Sequence, residues 1–321
     1  MVKVGMVGLC GIGKSIAINI AKAGFEFTVA DLREEPLMEL KENGASIADS
    51  PRDVAAAADI VLASLPSNEA SEKVALGPDG VLAGSKRGDI YIELSTIGLE
   101  VVRNISDQAA EKGVSLLDAP VSGSMEQRQK GTLSIMVGGD EPTLNRAMPV
   151  FKAFGDKIFH AGDSGAGATV KLVNNLLNGI NTVATMEALV LGVKAGLSVQ
   201  TMQEVISVSS GSSWIFNPLV DQIMTLSPEP PPGQTADMGL HTIGKDVKLA
   251  QNLSVPVTPV GPCLPRPWWK VTLPQAAYSG TSRSLYRVMV LACGPSLLQR
   301  SSPCLLPGSS VTRRLLEISS I

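Results

Sequence analysis

Short apolar runs alternate with amphipathic segments of helical length throughout the first 160 residues. Such alternation favours a largely parallel sheet with helices on both faces. Strands are predicted at Val2–Val7, Phe27–Ala30, Ile60–Leu65, Ile90–Leu94, Ser115–Leu117 and Leu133–Val137. Helices are predicted between them at Lys14–Ala23, Glu34–Asn43, Pro51–Ala57, Glu69–Val74, Leu99–Lys112 and Pro142–Phe154. We therefore expect residues 1–163 to form a doubly wound α/β domain.

The pattern changes in the next part of the chain. From Ala166, about thirty residues without proline carry apolar side chains at spacings of three and four, which predicts one long helix. Shorter helices are predicted at Val199–Val208 and Phe216–Leu226, and the prolines of Ser227–Gly233 predict a loop. Residues 164–256 are therefore expected to form a separate all-α domain.

The end of the chain has a different composition. All 30 acidic residues except Glu317 lie at or before Asp246, so that the last 75 residues carry 8 Lys or Arg and 1 acid. Periodicity is lost in the proline-rich stretch after Val255. We expect residues 257–321 to be an irregular, poorly ordered tail. A reading-frame shift near Thr258–Cys263 is our hypothesis for its origin, and a genuine basic appendage is the alternative.

Composition excludes several classes of function. The chain of 321 residues has a net charge of −3 and no wide basic field, so we expect no nucleic-acid partner. No run of 18 apolar residues and no secretory leader is present, which predicts a cytoplasmic protein without a membrane partner. The 4 cysteines lack metal-ligand spacing, so we expect no metal and a reducing compartment.

A glycine-rich turn, GLCGIGKS (Gly8–Ser15), follows the first predicted strand and precedes a helix. This arrangement forms an anion site, because free backbone N–H groups and the helix dipole point at a phosphate. As a dinucleotide fingerprint GxGxxG, the turn supplies Gly8 and Gly13. Cys10 stands where the second glycine is expected, and Gly11 comes one position late.

The same turn also matches a P-loop, GxxxxGK[ST], in which Lys14 would bind phosphates and Ser15 magnesium. The surroundings favour the dinucleotide interpretation. Asp31 ends the second strand, 18 residues beyond Gly13, where a Rossmann-type domain binds the adenosine ribose. No later strand ends in a clear magnesium-binding aspartate. Asp31 favours NAD over NADP, although Arg33 could partly offset this preference.

Four segments carry a resemblance to a known family: VGMVGLCGIGKSIAINIAKAG from Val4, DAPVSGS from Asp118 with GTLSIMVGG after it, GAGATVKLVNN from Gly165, and GKDVKLA from Gly244. Over about residues 1–250 the chain resembles the β-hydroxyacid dehydrogenases, which include 3-hydroxyisobutyrate, 2-(hydroxymethyl)glutarate and threonate dehydrogenases. The resemblance implies a homo-oligomer in which the helical domain serves in substrate binding and oligomerisation. It also implies an NAD cofactor, with NADP possible, bound by Gly8, Leu9, Gly11, Ile12, Gly13, Asp31, Leu65, Pro66, Thr96 and Lys245.

The resemblance assigns the chemistry to the long helix. Lys171 would exchange the hydroxyl proton as general acid or base, because a desolvated lysine has a lowered pKa. Asn175 lies one turn further on the same face and, with Ser122 and Gly123, would hold a small hydroxycarboxylate. The alternative for Lys171 is a lysine that extends from an amphipathic helix into solvent. Lys245 and Asp246 could likewise be an ordinary exposed charge pair.

Two departures from the family pattern leave other functions open. Ser124, Gln127 and Arg128 stand where small residues are usual, which indicates a more polar or more anionic substrate. The altered tail and Cys10 would fit a catalytically impaired homologue. A P-loop NTPase that uses Lys14 and Ser15 is the alternative from another enzyme class.

Overall fold

The computed structural model describes residues 2–9, 11–225 and 240–253. Cys10, the predicted loop Ser227–Gly233 and the predicted tail 257–321 lie outside the described residues. The described chain divides into two compact units, residues 2–179 with 242–253, and residues 180–225 with 240–241. The domain limits predicted from the sequence, 163/164 and 256/257, remain predictions.

The first unit contains nine strands: β1 Lys3–Val7, β2 Glu26–Ala30, β3 Ser46–Ile47, β4 Ile60–Ala63, β5 Ile90–Glu93, β6 Ser115–Asp118, β7 Val121–Ser122, β8 Leu133–Gly138 and β9 Gly155–Gly162. The helices among them are α1 Ile12–Lys22, α2 Glu34–Glu42, α3 Pro51–Ala57, α4 Asn68–Leu76, α5 Val81–Gly84, α6 Leu99–Glu111, α7 Met125–Lys130 and α8 Glu141–Phe151. Four helices follow: α9 Ala166–Lys194, α10 Val199–Ile206, α11 Phe216–Thr225 and α12 Leu240–Gln251.

The strands form one sheet in the order β3-β2-β1-β4-β5-β6-β8-β7, with β9 paired to β8. The first six strands of this order are parallel, and β8 runs antiparallel to β6 and β7. The order 3-2-1-4-5-6 is that of a Rossmann-type sheet, which binds ligands where strand order reverses, at the carboxyl ends of the strands. The predicted fold class, a doubly wound α/β domain followed by helices, is confirmed.

Both faces of the sheet are buried, because successive side chains of a strand point to opposite faces. In β4, Ile60 and Leu62 join one apolar cluster, while Val61 and Ala63 join the other. The first cluster includes residues of α1 and α8, and the second includes residues of α3 and α6. This packing fixes the strand ends from which the loops of the candidate site emerge.

Several short elements differ from the sequence prediction. The strands β3 and β7 have two residues each, α5 has four and α7 has six, which is too short for a periodic pattern to show. Strand β9 was not predicted because its alternation is weak, with exposed residues along most of its length.

Helix α9 is 29 residues long, and its most apolar window has a mean hydropathy of 1.4. Length and composition would let it cross a membrane, but a core helix of a soluble protein passes the same test, so this is weak evidence. In the second unit, Leu189 of α9 packs with Met202, Phe216 and Val220 of α10 and α11. The predicted absence of membrane and nucleic-acid partners remains a prediction.

Candidate active site

The turns after β1 and β4 pack directly against each other. Gly8 has a positive φ of 88°, and its N–H donates to the Ala30 carbonyl at 3.0 Å. A Cβ atom on Gly8 would approach the Ser64 carbonyl oxygen closer than 3.0 Å, and one on Gly13 would approach the Gly8 carbonyl oxygen equally closely. These two glycines are therefore needed for the turn itself to form.

Gly11 differs from them, because a Cβ at this position would meet nothing within 4 Å. Its φ is 54°, and α1 begins at the next residue, Ile12, with no side chain capping its N-terminus. Open space beside uncapped helix N–H groups suits the close approach of a pyrophosphate. The turn therefore fits a dinucleotide cofactor.

Lys14 points away from this open space. Its ammonium group forms an ion pair with Glu39 of α2 and lies 3.8 Å from a Glu35 carboxylate oxygen. A P-loop lysine must reach the phosphates instead. Among the described residues, the contacts of Lys14 do not support the NTPase alternative.

Asp31 is tied to the glycine turn by its carboxylate, whose side chain is 7% exposed. It accepts the Leu9 N–H at 2.6 Å, the Arg33 N–H at 2.9 Å and the Arg33 Nε–H at 3.1 Å. Burial acts to raise the pKa of Asp31, but these hydrogen bonds and the positive charge of Arg33 outweigh it and hold the pKa below its usual range. Asp31 is thus an anion at neutral pH, with an arginine beside it.

The loops after β4 and β5 are joined by a buried polar network. The Leu65 N–H, next to Pro66, donates to Ser95 Oγ at 2.7 Å, and the Ser95 N–H donates to Glu93 at 3.0 Å. Tyr91 donates its hydroxyl proton to the same carboxylate at 3.0 Å. Burial raises the pKa of Glu93 above its usual range, and the hydrogen bonds from Ser95 and Tyr91 oppose this. This network fixes the loops after β4 and β5 relative to each other. Both loops carry residues that are predicted to contact the cofactor, namely Leu65, Pro66 and Thr96.

Lys245 of α12 extends this arrangement beyond β5. Its ammonium group donates to the Thr96 carbonyl at 2.7 Å and lies 3.3 Å from Asp246 Oδ1. Asp246 is buried, and its other oxygen accepts the Asn175 Nδ2–H at 2.6 Å. This carboxylate therefore connects helices α9 and α12. Asn175 and Asp246, the two residues of the contact, are 71 positions apart in the sequence.

Lys171 lies one turn before Asn175 on α9 and is half-buried. Burial lowers the pKa of its ammonium group from the ordinary 10.5 to about 8. The negative charge of Asp246 opposes this change, whereas the positive charges of Arg128 and Lys245 add to it. The structure therefore brings Lys171, Asn175 and Lys245 of the sequence prediction around a single acid.

Asp118, to which no role was assigned from the sequence, positions the start of α9. Its buried carboxylate accepts the N–H groups of Gly165 and Ala168, both at 2.7 Å. Burial raises the pKa of Asp118, and these backbone hydrogen bonds oppose the increase. A Cβ on Gly167 would collide with the Met136 and Asp118 carbonyl oxygens, so the helix start lies directly on the sheet. The available sequence signal for Asp118 was its position two residues before the segment PVSGS.

Ser122 lies on β7, opposite Ser134 of β8, and Gly123 follows it. A Cβ on Gly123 would clash with Leu133, so this glycine lets the loop pack against β8. Helix α7 begins immediately afterwards, with Ser124 and Gln127 forming a capping box. The predicted roles of Ser122 and Gly123 in substrate binding remain predictions.

A Rossmann-type sheet with a glycine turn and an ionised acid after β2 is typical of a dinucleotide-binding domain. The model of the NAD-binding domain of 6-phosphogluconate dehydrogenase matches residues 3–162. A second family model, described as NAD-binding of NADP-dependent 3-hydroxyisobutyrate dehydrogenase, matches residues 165–260. The chain belongs to the β-hydroxyacid dehydrogenase family.

Relatives agree with this assignment. The chain is 38% identical over 256 residues to 2-(hydroxymethyl)glutarate dehydrogenase of Eubacterium barkeri, covering 80% of this chain and 85% of the relative. It is 40% identical over 252 residues to 3-hydroxyisobutyrate dehydrogenase of Pseudomonas aeruginosa, covering 78% and 84%. The structure of Mycobacterium tuberculosis 3-hydroxyisobutyrate dehydrogenase with L-serine has a TM-score of 0.67 and 30% identity, covering 78% and 86%. The chain is thus an NAD(P)-dependent oxidoreductase of CH–OH donors, as predicted.

Proposed function

We propose that Lys171 is the general acid and base in a reversible oxidation of a small 3-hydroxy carboxylic acid to its semialdehyde. The observation that carries this proposal is the partial burial of Lys171 one turn before Asn175, whose amide is bonded to Asp246. This burial lowers the pKa of Lys171 to about 8. At pH 7 about 9% of such lysines are neutral, against about 0.03% at a pKa of 10.5. The site therefore increases the amount of available base about 300-fold.

The alternative, a lysine that extends into solvent, agrees less well with these observations. Such a side chain buries its methylene groups but keeps its ammonium group in water, where the pKa stays near its ordinary value. Lys171 is instead half-buried, and the positive charges of Arg128 and Lys245 act with this burial to lower its pKa. A perturbed pKa caused by burial and specific charges favours a functional role.

The bound nicotinamide would supply the hydride acceptor or donor. Gly11 would leave room for its pyrophosphate, in a turn whose shape depends on Gly8 and Gly13. Asp31 would accept hydrogen bonds from the adenosine ribose. The rest of the cofactor would be lined by Leu9, Ile12, Leu65, Pro66, Thr96 and Lys245. The ionised Asp31 supports a preference for NAD over NADP, because a 2′-phosphate would face a negative charge.

In the substrate site, Asn175 would place its amide against the hydroxyl and carboxylate groups. One Nδ2 proton is already donated to Asp246, which fixes the amide plane and leaves the second proton for substrate. Ser122 and Gly123 would hold the carboxylate through a hydroxyl and backbone N–H groups. Lys171 would then take the hydroxyl proton during oxidation and return it during reduction.

The first test compares NADH formation from 3-hydroxypropionate by the parent protein, Lys171→Ala and Lys194→Ala. Lys194 is the matched control, because it lies in the last turn of the same helix. Loss of the general base is expected to lower kcat/KM by about 10²- to 10⁴-fold, whereas the control keeps the parent value. Turnover of Lys171→Ala within tenfold of the parent contradicts the proposal. Phosphate release from ATP without any NADH formation would instead support the NTPase.

We further propose that the chain forms a cytoplasmic homo-oligomer through its helical part. The support is a set of exposed apolar side chains in the second unit: Val183, Leu191, Val205, Val208, Trp214 and Met224. Exposed apolar surface of this kind marks interaction sites. Light scattering coupled to gel filtration tests the proposal, and a monomeric mass at micromolar concentration refutes it.

A further inference from the structure

Arg128 is a charged side chain that the described hydrogen bonds and ion pairs do not use. We propose that Arg128 binds a second carboxylate of the substrate, so that this chain prefers 3-hydroxy dicarboxylic acids to monocarboxylic ones. The inference rests on the proposed function, because it concerns the far end of the same substrate. It assigns a specificity-determining role to a position outside the proposed catalytic group.

Two helix caps and one hydrogen bond fix the position of the Arg128 backbone. Helix α7, on which it lies, starts with the capping box of Ser124 and Gln127 and ends at Gly131 in the left-handed conformation. The Arg128 carbonyl accepts the Asn19 Nδ2–H of α1 at 2.9 Å. A short helix fixed in this way presents its side chains in a defined direction, immediately after the predicted carboxylate-binding residues Ser122 and Gly123.

The guanidinium group of Arg128 has a buried donor with no acceptor among the described residues. Arg128 is half-buried, and its Nε is buried without a hydrogen-bond partner among the described residues. A buried charged donor without an acceptor is costly, and native proteins retain such groups where a ligand or a function requires them. The planar guanidinium suits a carboxylate, which can accept two parallel N–H bonds.

The charge balance around Lys171 points to the same ligand chemistry. Arg128, Lys245 and Asp246 are the charged groups whose fields act on Lys171. Lys245 and Asp246 form an ion pair at 3.3 Å, and Lys171 is neutral when it accepts the substrate proton, so Arg128 is the one uncompensated cation of these four groups. The first substrate carboxylate is assigned to Ser122 and Gly123, which carry no charge. A second carboxylate would therefore pair with Arg128, which favours a dianionic substrate over a monoanionic one.

A cofactor phosphate is a less suitable partner for Arg128. The open cradle for phosphate lies at Gly11, where α1 begins, and the ribose acid Asp31 follows β2. Helix α7 contacts α1 at Asn19, which lies about two turns beyond the start of α1 at Ile12. A substrate carboxylate near Lys171 therefore explains Arg128 better than the dinucleotide does.

The test measures kcat/KM for 2-(hydroxymethyl)butanedioate, a dicarboxylate, and for 3-hydroxypropionate, a monocarboxylate, at saturating NAD. The parent, Arg128→Ala, Arg128→Lys and the control Lys130→Ala are compared. Lys130 lies on the same helix, with its ammonium group paired to Glu126 at 2.6 Å in solvent. Removing Arg128 also removes a positive charge near Lys171, but this effect on the pKa is shared by both substrates and cancels in their ratio.

For Arg128→Ala, the ratio of dicarboxylate to monocarboxylate kcat/KM is expected to fall about 10- to 100-fold, as loss of a charged hydrogen bond predicts. Arg128→Lys keeps the positive charge but lacks the planar guanidinium group. Its ratio is expected to lie between the ratios of the parent and of Arg128→Ala. Lys130→Ala keeps the parent ratio. A ratio unchanged in Arg128→Ala, with both substrates turned over, overturns this inference alone. Turnover of neither substrate by the parent overturns the proposed function and the inference with it.

Inhibition gives a second measurement that is independent of turnover. Glutarate, a dicarboxylate, is expected to inhibit the parent at lower concentration than butyrate, and Arg128→Ala is expected to abolish this difference. If Arg128→Ala does not fold, Arg128→Lys carries the same comparison. Equal inhibition of the parent by the two acids contradicts the inference.

Discussion

Gly167 is the second residue of α9, and its replacement by alanine tests whether the helix start positions the catalytic lysine. A Cβ at this position would lie closer than 3.0 Å to the Met136 carbonyl oxygen and to the Asp118 carbonyl oxygen, whereas ordinary contact begins near 3.4 Å. Both obstacles are backbone atoms of neighbouring strands, so they cannot rotate away. Helix α9 must therefore move outward by about 0.5–1 Å to accept the methyl group.

This displacement has two expected consequences. The 2.7 Å hydrogen bonds from Gly165 and Ala168 to the Asp118 carboxylate lengthen, and overpacking lowers the free energy of unfolding by about 1–3 kcal/mol. The helix propensity of alanine returns at most about 1 kcal/mol of this loss. Lys171, one turn further along α9, shifts with the helix, and a misplacement of about 1 Å lowers kcat/KM about 10²-fold.

Urea unfolding followed by circular dichroism measures the stability, and NADH formation measures kcat/KM. Gly244→Ala is the control for stability, because Gly244 lies within helix α12 and a Cβ there meets nothing within 4 Å. That variant is expected to be as stable as the parent or up to about 1 kcal/mol more stable. Parent stability and parent kcat/KM in Gly167→Ala would refute the close packing of α9 on the sheet.

Three further predictions concern the charges of the site and the end of the chain. Asp246→Asn removes the negative charge that raises the pKa of Lys171, so this pKa falls below about 8. The acid limb of the pH profile for oxidation is then expected to move to lower pH. A shift to higher pH contradicts the role of Lys171 as the base. Arg33→Gln leaves Asp31 without its neighbouring cation, so kcat/KM with NADP is expected to fall more than kcat/KM with NAD; equal losses argue against the role of Arg33. Resequencing the gene around Thr258–Cys263 tests the frame-shift hypothesis, which requires a family-like ending in another frame and fails if none is found.

The parts of the site predictable from the sequence depend on local chemistry. The glycine turn needs small residues at fixed positions after a strand, and Asp31 needs only to end the next strand, so both can be recognised from spacing. The long helix carrying Lys171 is similarly visible, because its apolar periodicity persists over many turns.

Long-range contacts could not be predicted in this way. The hydrogen bond between Asn175 and Asp246 joins residues 71 positions apart, and periodicity says nothing about which turn of one helix faces another. The role of Asp118 could not be recognised from a sequence motif, because its carboxylate accepts hydrogen bonds from backbone N–H groups, which every sequence supplies. Helix α7 has only six residues, so Arg128 could be noticed as a departure from the family but not placed near Lys171.

The pH dependence of the Lys171→Ala variant tests the central claim most directly. For the parent, kcat/KM for 3-hydroxypropionate oxidation is expected to rise about tenfold per pH unit and to level off above about pH 8, because only neutral Lys171 accepts the proton. In Lys171→Ala this limb disappears and the remaining rate is low at every pH. The same limb, retained in Lys171→Ala near pH 8, would show that another group is the base.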